Sequence, residues 1–192
     1  MVKIEDVTEF FPNLDWESLM AHVQELELKL PKAGSNDKWN GWSILSETGK
    51  YTNGWLSATN LEEIRQYNVS KHTNPTEIIT PTLSQLISDL QELGLTPVGM
   101  RYWQLLPASK GKWHCDNVEH SPLRIHFVVK TNPGCFFITE HERTHLKEHH
   151  AYLINVDDYH IVENNSTHET RTHLTANVKN TKGISKVHAV IV

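Results

Sequence analysis

Cysteine is scarce in this sequence, where only Cys115 and Cys135 occur among 192 residues. Disulfide-stapled secreted domains need several cysteine pairs, and two cysteines cannot supply such a framework. The first residues, MVKIEDVTEFF, carry Glu5, Asp6 and Glu9 where a secretory signal would need an apolar run. We therefore expect reduced thiols and a cytoplasmic protein.

Long apolar runs and basic clusters are also missing. No stretch reaches the roughly 20 apolar residues that a membrane-spanning helix needs. Lysine and arginine number 18 against 23 acidic residues, so the formal charge is -5 and no basic run stands out. A protein that binds a phosphate backbone usually carries such a run. The sequence thus predicts no membrane segment and no direct nucleic-acid partner.

The composition that remains is that of one folded domain. The hydrophobic fraction is 38% and the charged fraction 21%, which is typical of globular proteins. Apolar residues at helical spacing predict helices near 13–29 and 82–93. A strand running into a turn is predicted within 38–51, and short β-rich runs then occupy 98–106, 123–130, 135–139, 151–156, 160–162, 171–178 and 187–192.

Helices followed by many short strands predict a mainly β fold with flanking helices. We expect an antiparallel barrel or sandwich formed by residues 96–192. Residues 1–95 would supply helices and a strand that support the barrel from outside. The whole chain would be a single domain.

The tetrapeptide Trp113-His114-Cys115-Asp116 contains two side chains that bind metals. In an extended segment, residues two positions apart point to the same side, so His114 and Asp116 can bind one ion. His160, several strands later, would complete the set. Two histidines and one carboxylate leave coordination positions open, which suits non-haem iron(II) enzymes that also bind dioxygen.

Basic side chains occupy alternating positions in two later β-rich runs. Arg171 opens one run, where an inward guanidinium can pair bidentately with the carboxylate of a bound diacid. Arg124 and His126 share one face of another run, as expected for the lining of a barrel. For His126 and His173, a hydrogen-bonded core position and a functional role both stay open.

The histidine-rich segment 141–150 is a competing metal site, because His141, His145 and His149 would align on one face of a helix. The segment lies between two β-rich runs and has no apolar face beyond Leu146, which favours a loop or hairpin. Cys115 lies between two proposed ligands, so it should face away from them and pack.

An ordered set of motifs covers about residues 98–178. It comprises Leu106-Pro107, His114-x-Asp116, Arg124-x-His126, Thr131-Asn132, the strand 151–155, His160 and Arg171-x-His173-Leu174. This set resembles the aspartyl/asparaginyl β-hydroxylase-like oxygenases, and in pattern especially the cis-proline hydroxylases. The resemblance implies a double-stranded β-helix, the jelly-roll or cupin-like barrel.

The resemblance also implies a chemistry. His114, Asp116 and His160 match the ligands of a catalytic iron(II), and Arg171 matches the contact to the distal carboxylate of 2-oxoglutarate. Arg124 and His126 match a basic pair near the metal-side carboxylate or the substrate. Such enzymes use O2, convert 2-oxoglutarate to succinate and CO2, and hydroxylate a C–H bond.

One departure from the family pattern concerns spacing. The interval from His160 to Arg171 is one residue longer than the resemblance leads us to expect, which allows either a longer turn or a shifted register for Arg171.

The substrate implied is a free amino acid or an amino-acid side chain in a peptide or protein. Aromatic residues can wall such a pocket without reacting with its contents. Trp103, on the first barrel strand, and Trp39, Trp42 and Trp55, which precede it, are the candidates. Most of them should belong to the core, with one at the substrate.

Two other functions compete with the oxygenase hypothesis. In a metal-dependent cupin enzyme without 2-oxoglutarate, Arg171 and Arg124 would bind an anionic substrate directly. In a catalytically silent barrel, the histidines would be structural or exposed, and the protein would bind a ligand or partner. Fold alone does not choose among them, because barrels of this type host many functions.

Overall fold

A computed structural model describes residues 4–30, 38–51, 68–116 and 123–180. Within these ranges the chain forms two α-helices, α1 (Trp16–Lys29) and α2 (Pro81–Glu92), and twelve strands. The strands are β1 (Ile4–Asp6), β2 (Trp39–Ser43), β3 (Leu45–Ser46), β4 (Asn74–Pro75), β5 (Leu95–Leu105), β6 (Ser109–Lys110), β7 (Leu123–Lys130), β8 (Cys135–Thr139), β9 (Arg143–Thr144), β10 (Ala151–Asn155), β11 (His160–Asn164) and β12 (Arg171–Asn180). The strand predicted at 187–192 lies outside the described residues.

Both helices occur where the apolar spacing predicts them, and each begins at a capping residue. The Asp15 carboxylate accepts a hydrogen bond from the Ser18 amide at 2.9 Å, and the Thr80 hydroxyl accepts one from the Leu83 amide at 3.3 Å. Pro81 fills the first position of α2, where no amide donor is needed. In the described part of the chain, neither helix has the length and apolar character to cross a membrane.

The strands form two main antiparallel sheets. The major sheet has the order β1-β10-β7-β12-β5-β2, and the minor sheet has the order β6-β11-β8-β9. A buried cluster contains residues of both sheets: Leu105, Val128, Phe137, Tyr152, Ile154 and Val162. The two sheets therefore enclose a common space, here termed the barrel interior, and the predicted mainly β jelly-roll fold is confirmed.

The opposite face of the major sheet packs against the helices. This helix-side core contains, among others, Leu19, Val23, Leu26, Leu83, Leu86, Leu90, Ile125, Phe127, Leu153 and Leu174. Each fully buried leucine or phenylalanine side chain of this kind contributes about 1.5–3 kcal/mol from the hydrophobic effect. The helix-side core thus stabilises the major sheet through side chains that do not line the barrel interior.

Strand alternation assigns the functional candidates to the barrel interior. On β7, Ile125 and Phe127 lie in the helix-side core, so Arg124 and His126 point the other way. On β12, Leu174 lies in the helix-side core, and its neighbour His173 accordingly faces inward. Arg124 and His126 therefore lie on the same face of β7, as the sequence predicts.

Candidate active site

The side chains of His114, Asp116 and His160 converge. Their candidate ligand atoms all lie within 4.8 Å of one another. His114 Nε2 is 3.5 Å from Asp116 Oδ1, and His160 Nε2 is 3.9 Å from Asp116 Oδ2. The separation in sequence is closed by a single antiparallel bridge, in which His114 and His160 exchange backbone hydrogen bonds of 3.1 and 2.9 Å. Directly opposed residues project to the same face, which brings the imidazoles together.

Backbone carbonyls fix the tautomer of both imidazoles. His114 Nδ1 lies 2.8 Å from the carbonyl oxygen of Lys112, and His160 Nδ1 lies 2.9 Å from that of Asp158. A carbonyl only accepts, so each Nδ1 carries the proton and each Nε2 keeps its lone pair. Burial lowers the pKa of His160, which also favours the neutral form that binds metals.

The Asp116 carboxylate is held by Arg124 yet keeps an unsatisfied oxygen. Arg124 Nη1 lies 2.8 Å from Asp116 Oδ2, but Oδ2 is buried and receives no hydrogen bond. The contact is thus an ion pair whose N–H is not directed at the oxygen. Arg124 Nε donates to Asn177 Oδ1 at 2.8 Å. A carboxylate beside two imidazole lone pairs fits a divalent metal of the iron class.

Phe137 separates this metal-ligand group from a second pair of histidines. Its ring stacks on His160 with centroids 5.0 Å apart and an interplanar angle of 13°. The same ring meets His126 edge to face at 6.2 Å. Phe137 therefore restrains the ring plane of one proposed ligand and contacts the basic pair behind it.

His126 and His173 form a hydrogen-bonded pair in the barrel interior. Their Nδ1 atoms are 3.2 Å apart, and the residues are 5% and 1% exposed. Both Nε2 atoms are buried and have no hydrogen-bond partner. Burial, followed by the charges of Arg124 and Arg171, places the pKa of His126 well below its ordinary value. Burial and Arg171 act likewise on the pKa of His173, so both rings are neutral near pH 7.

Arg171 is a buried cation. It is 4% exposed, its Nε has no hydrogen-bond acceptor, and none of the ion pairs among the described residues involves it. Burial lowers the pKa of Arg171 to about 10, which leaves the guanidinium charged at neutral pH. An unpaired buried charge is costly, and a bound anion would offset that cost. Arg171 faces Leu105 across the β12–β5 ladder, so the longer interval after His160 leaves it inside the barrel.

The tryptophans divide between the two faces of the major sheet. Trp39 and Trp103 meet edge to face at 5.3 Å, and Trp39 packs against the interior cluster. Trp103 lies opposite His173 in the β12–β5 ladder. Trp42 is 1% exposed within the helix-side core, because alternation along β2 turns it away from the interior. This placement argues against the predicted role of Trp42 in substrate binding; Trp55 lies outside the described residues.

The histidine-rich segment forms a short strand and loops instead of a helix, as predicted. His145 Nδ1 lies 2.9 Å from the carbonyl oxygen of Cys135, whereas His149 stacks on Trp16 at 5.5 Å. Across the described ranges, these histidines do not join His141 in a group that could hold a metal ion. The segment therefore does not compete with the His114, Asp116 and His160 group.

Comparison with known proteins decides the family. A family model described as aspartyl/asparaginyl beta-hydroxylase matches residues 15–181. The chain belongs to this hydroxylase family. The suggested resemblance is thereby confirmed, and it extends through the N-terminal helix. Among curated protein sequences, none is significantly similar to this chain.

Solved structures with a similar fold include two oxygenases. An oxidoreductase of the 2OG-Fe(II) oxygenase family from Burkholderia pseudomallei is 12% identical, with a TM-score of 0.54 over 96% of this chain and 87% of that one. A prolyl-4-hydroxylase from Pseudomonas putida is 10% identical, with a TM-score of 0.52 over 93% of this chain and 92% of that one. At such identities the likeness concerns the fold, which this member of the hydroxylase family shares over nearly its whole length.

Two residues beside the site in this hydroxylase-family chain had no signal of their own in the sequence. Asn177 accepts a hydrogen bond from Arg124. It lies on β12 with Arg171 and His173, so the alternation of that strand could have predicted that it faces inward. Phe137 stacks on His160, a proposed metal ligand, but in the sequence it looks like an ordinary core residue.

Buried histidines make the stability of this hydroxylase-family chain depend on pH. Burial is the largest cause lowering the pKa of each of five imidazoles: His22, His72, His126, His160 and His173. Unfolded histidines, with a pKa of about 6.5, bind protons that the folded protein excludes. This stabilisation is complete above that value and is lost as the pH falls below it. We expect the free energy of unfolding of the metal-free protein to fall between roughly pH 7.5 and pH 5.5.

Urea denaturation across that interval measures the effect. Replacing buried His173 with leucine should reduce the slope of unfolding free energy against pH, whereas replacing exposed His141 with glutamine should leave the slope unchanged. A stability that stays constant between these pH values would contradict the prediction.

Proposed function

We propose that this chain is an iron(II)- and 2-oxoglutarate-dependent dioxygenase that hydroxylates an amino acid, either free or as a side chain in a peptide or protein. One observation carries the proposal: the barrel holds a metal-ligand group, in which His160 is buried and His114 exposed, and also a buried guanidinium, that of Arg171, without an anionic partner among the described residues. Family membership supports hydroxylation, and the names of the two similar structures point to the same chemistry.

His114, Asp116 and His160 would hold iron(II), with positions left for a chelating co-substrate and dioxygen. Bound iron(II) and 2-oxoglutarate supply the redox chemistry, in which succinate and CO2 are released as O2 is consumed. The protein supplies binding and orientation. The carbonyls of Lys112 and Asp158 keep both imidazole lone pairs available by accepting from Nδ1.

Arg171 would bind the distal carboxylate of 2-oxoglutarate. A guanidinium forms two parallel hydrogen bonds with a carboxylate, and its unsatisfied Nε is available for one of them. In the buried interior, where the dielectric constant is low, such a pair is stronger than at the surface. Arg124 is already engaged by Asp116 and Asn177, which makes it an orienting group for the carboxylate ligand.

The substrate would lie against the aromatic residues of the interior. Trp39 and Trp103 are the candidates that alternation leaves on the correct face, and the Arg101 guanidinium lies 5.7 Å from the centre of the Trp103 ring. An amino-acid substrate presents a carboxylate and an apolar side chain, which suit a cation next to an aromatic wall.

An anaerobic titration tests the proposal. Iron(II) is added to the metal-free protein, and 2-oxoglutarate follows, while the visible charge-transfer band of a chelated keto acid is monitored. We expect the band to saturate at one equivalent and to be absent in His114→Ala. Iron binding without the band would favour a metal-dependent cupin enzyme, and failure to bind iron would favour a silent barrel.

A further inference from the structure

The paired histidines behind Phe137 have one shared proton position. The Nδ1 atoms of His126 and His173 are 3.2 Å apart, so one must donate to the other. A neutral imidazole carries one proton. The ring that donates from Nδ1 therefore has a bare Nε2, and the ring that accepts at Nδ1 has an N–H at Nε2. The pair has two states, which differ in which Nε2 is the donor.

No described protein group selects between these states. Both Nε2 atoms are buried and have no hydrogen-bond partner. A third proton on the pair is disfavoured by burial and by the guanidinium groups of Arg124 and Arg171. A ligand that brings a hydrogen-bond acceptor to one Nε2 would therefore fix the protons of both rings.

His126 is the member of the pair next to the metal-ligand group. It contacts Phe137, whose ring stacks on His160. His173 is the more deeply buried of the two rings, at 1% exposed. Of the two rings, that of His126 is therefore the closer to a ligand bound at the metal-ligand group.

We propose that His173 is a positioning residue that sets the tautomer of His126. His173 Nδ1 donates to His126 Nδ1, and His126 Nε2 in consequence presents an N–H to an anionic ligand in the barrel interior. The inference rests on the proposed function for the identity of that anion, which is 2-oxoglutarate. In the opposite state, His126 would present a lone pair to the anion and repel it.

Binding of 2-oxoglutarate to the zinc-loaded protein, measured by calorimetry, tests this role without turnover. His173→Leu removes the donor while keeping a similar volume, and we expect affinity to fall by roughly tenfold or more. His173→Asn restores an amide near the Nδ1 position and should bind almost as tightly as the wild type. A role limited to core packing would not be rescued by asparagine, which is smaller and more polar than leucine.

A second background sharpens the test. In His126→Gln, the side-chain amide nitrogen stands near the Nε2 position and donates whatever residue occupies position 173. We expect His173→Leu to cause no additional loss of affinity in that background. An equal loss in both backgrounds, or wild-type affinity in His173→Leu alone, would overturn the inference.

Nitrogen NMR of the histidine side chains separates this inference from the proposed function. In the ligand-free zinc protein, the Nδ1 protonation of His126 and that of His173 should be complementary, summing to one proton. With 2-oxoglutarate, His126 should be protonated at Nε2 and His173 at Nδ1. The same tautomer in both rings would overturn the pairing whatever the protein binds, whereas complementary tautomers without any 2-oxoglutarate binding would refute the ligand and the proposed function.

Discussion

We expect Asp116→Ala to abolish stoichiometric iron(II) binding and turnover while leaving the metal-free protein nearly as stable as the wild type. The carboxylate is the charged member of the ligand group, and its buried Oδ2 receives no hydrogen bond. Loss of a residue that only supports a ligand typically weakens metal binding about 10- to 100-fold, so loss of a ligand should exceed that range. Arg124 is 22% exposed and keeps its hydrogen bond to Asn177, which limits the cost of losing its ion pair with Asp116.

Metal binding by calorimetry and unfolding by urea measure the two halves of this expectation. Asp116 is a cleaner test than His160, because the His160 ring stacks on Phe137 and its removal would also leave a cavity. His141→Ala, an exposed change in the histidine-rich segment, is the matched control and should retain iron. Wild-type turnover in Asp116→Ala would show that the ligands lie elsewhere.

Arg171→Met should weaken 2-oxoglutarate binding by about 2–5 kcal/mol, or roughly 30-fold to several thousand-fold. Iron(II) binding should stay unchanged, because Arg171 is not a member of the ligand group. The ligand-free protein should be as stable as the wild type or more stable. The guanidinium is buried without an anionic partner among the described residues, and an apolar side chain of similar length avoids its desolvation. Weaker 2-oxoglutarate binding together with equal or greater folding stability is what we expect when a buried cation serves to bind a ligand.

Two variants control this experiment. Arg171→Lys keeps the charge but loses the planar pair of donors, so its affinity should lie between those of the wild type and Arg171→Met. Arg143→Met removes a guanidinium that pairs with Glu163, and it should leave 2-oxoglutarate affinity unchanged. If Arg171→Met needs no more 2-oxoglutarate than the wild type, Arg124 becomes the candidate anchor.

Much of the barrel was predictable because its strands carry regular local patterns. The strands 123–130 and 135–139 begin and end where alternation predicts. The first barrel strand was predicted from residue 98 but begins at Leu95. Pro97 and Gly99 interrupt the pattern there, since both residues usually mark turns. The strand continues through them because Gly99 adopts a φ of 60° at an irregularity opposite Thr175 and Asn177.

The site was predictable to the extent that local spacing determines side-chain direction. The two-residue interval between His114 and Asp116 and the inward direction of Arg124 and His126 follow from extended backbone. The contact between His126 and His173 does not, because it depends on how two distant strands pair. The direction of Trp42 could not be predicted for the same reason: its face depends on the register of β2 against β5, which composition does not reveal.

The ladder between β7 and β12 has a consequence for when the site can exist. His126 meets His173 across 47 positions of sequence, and Arg124 meets Asn177 across 53. A register slip by one residue would turn Arg124 and His126 toward the helices. Distant strand pairing is among the slower steps of folding, since a long loop must close first. We therefore expect Arg124 and the histidine pair to reach their positions together, late in folding, and a mispaired barrel to bind neither iron(II) nor 2-oxoglutarate.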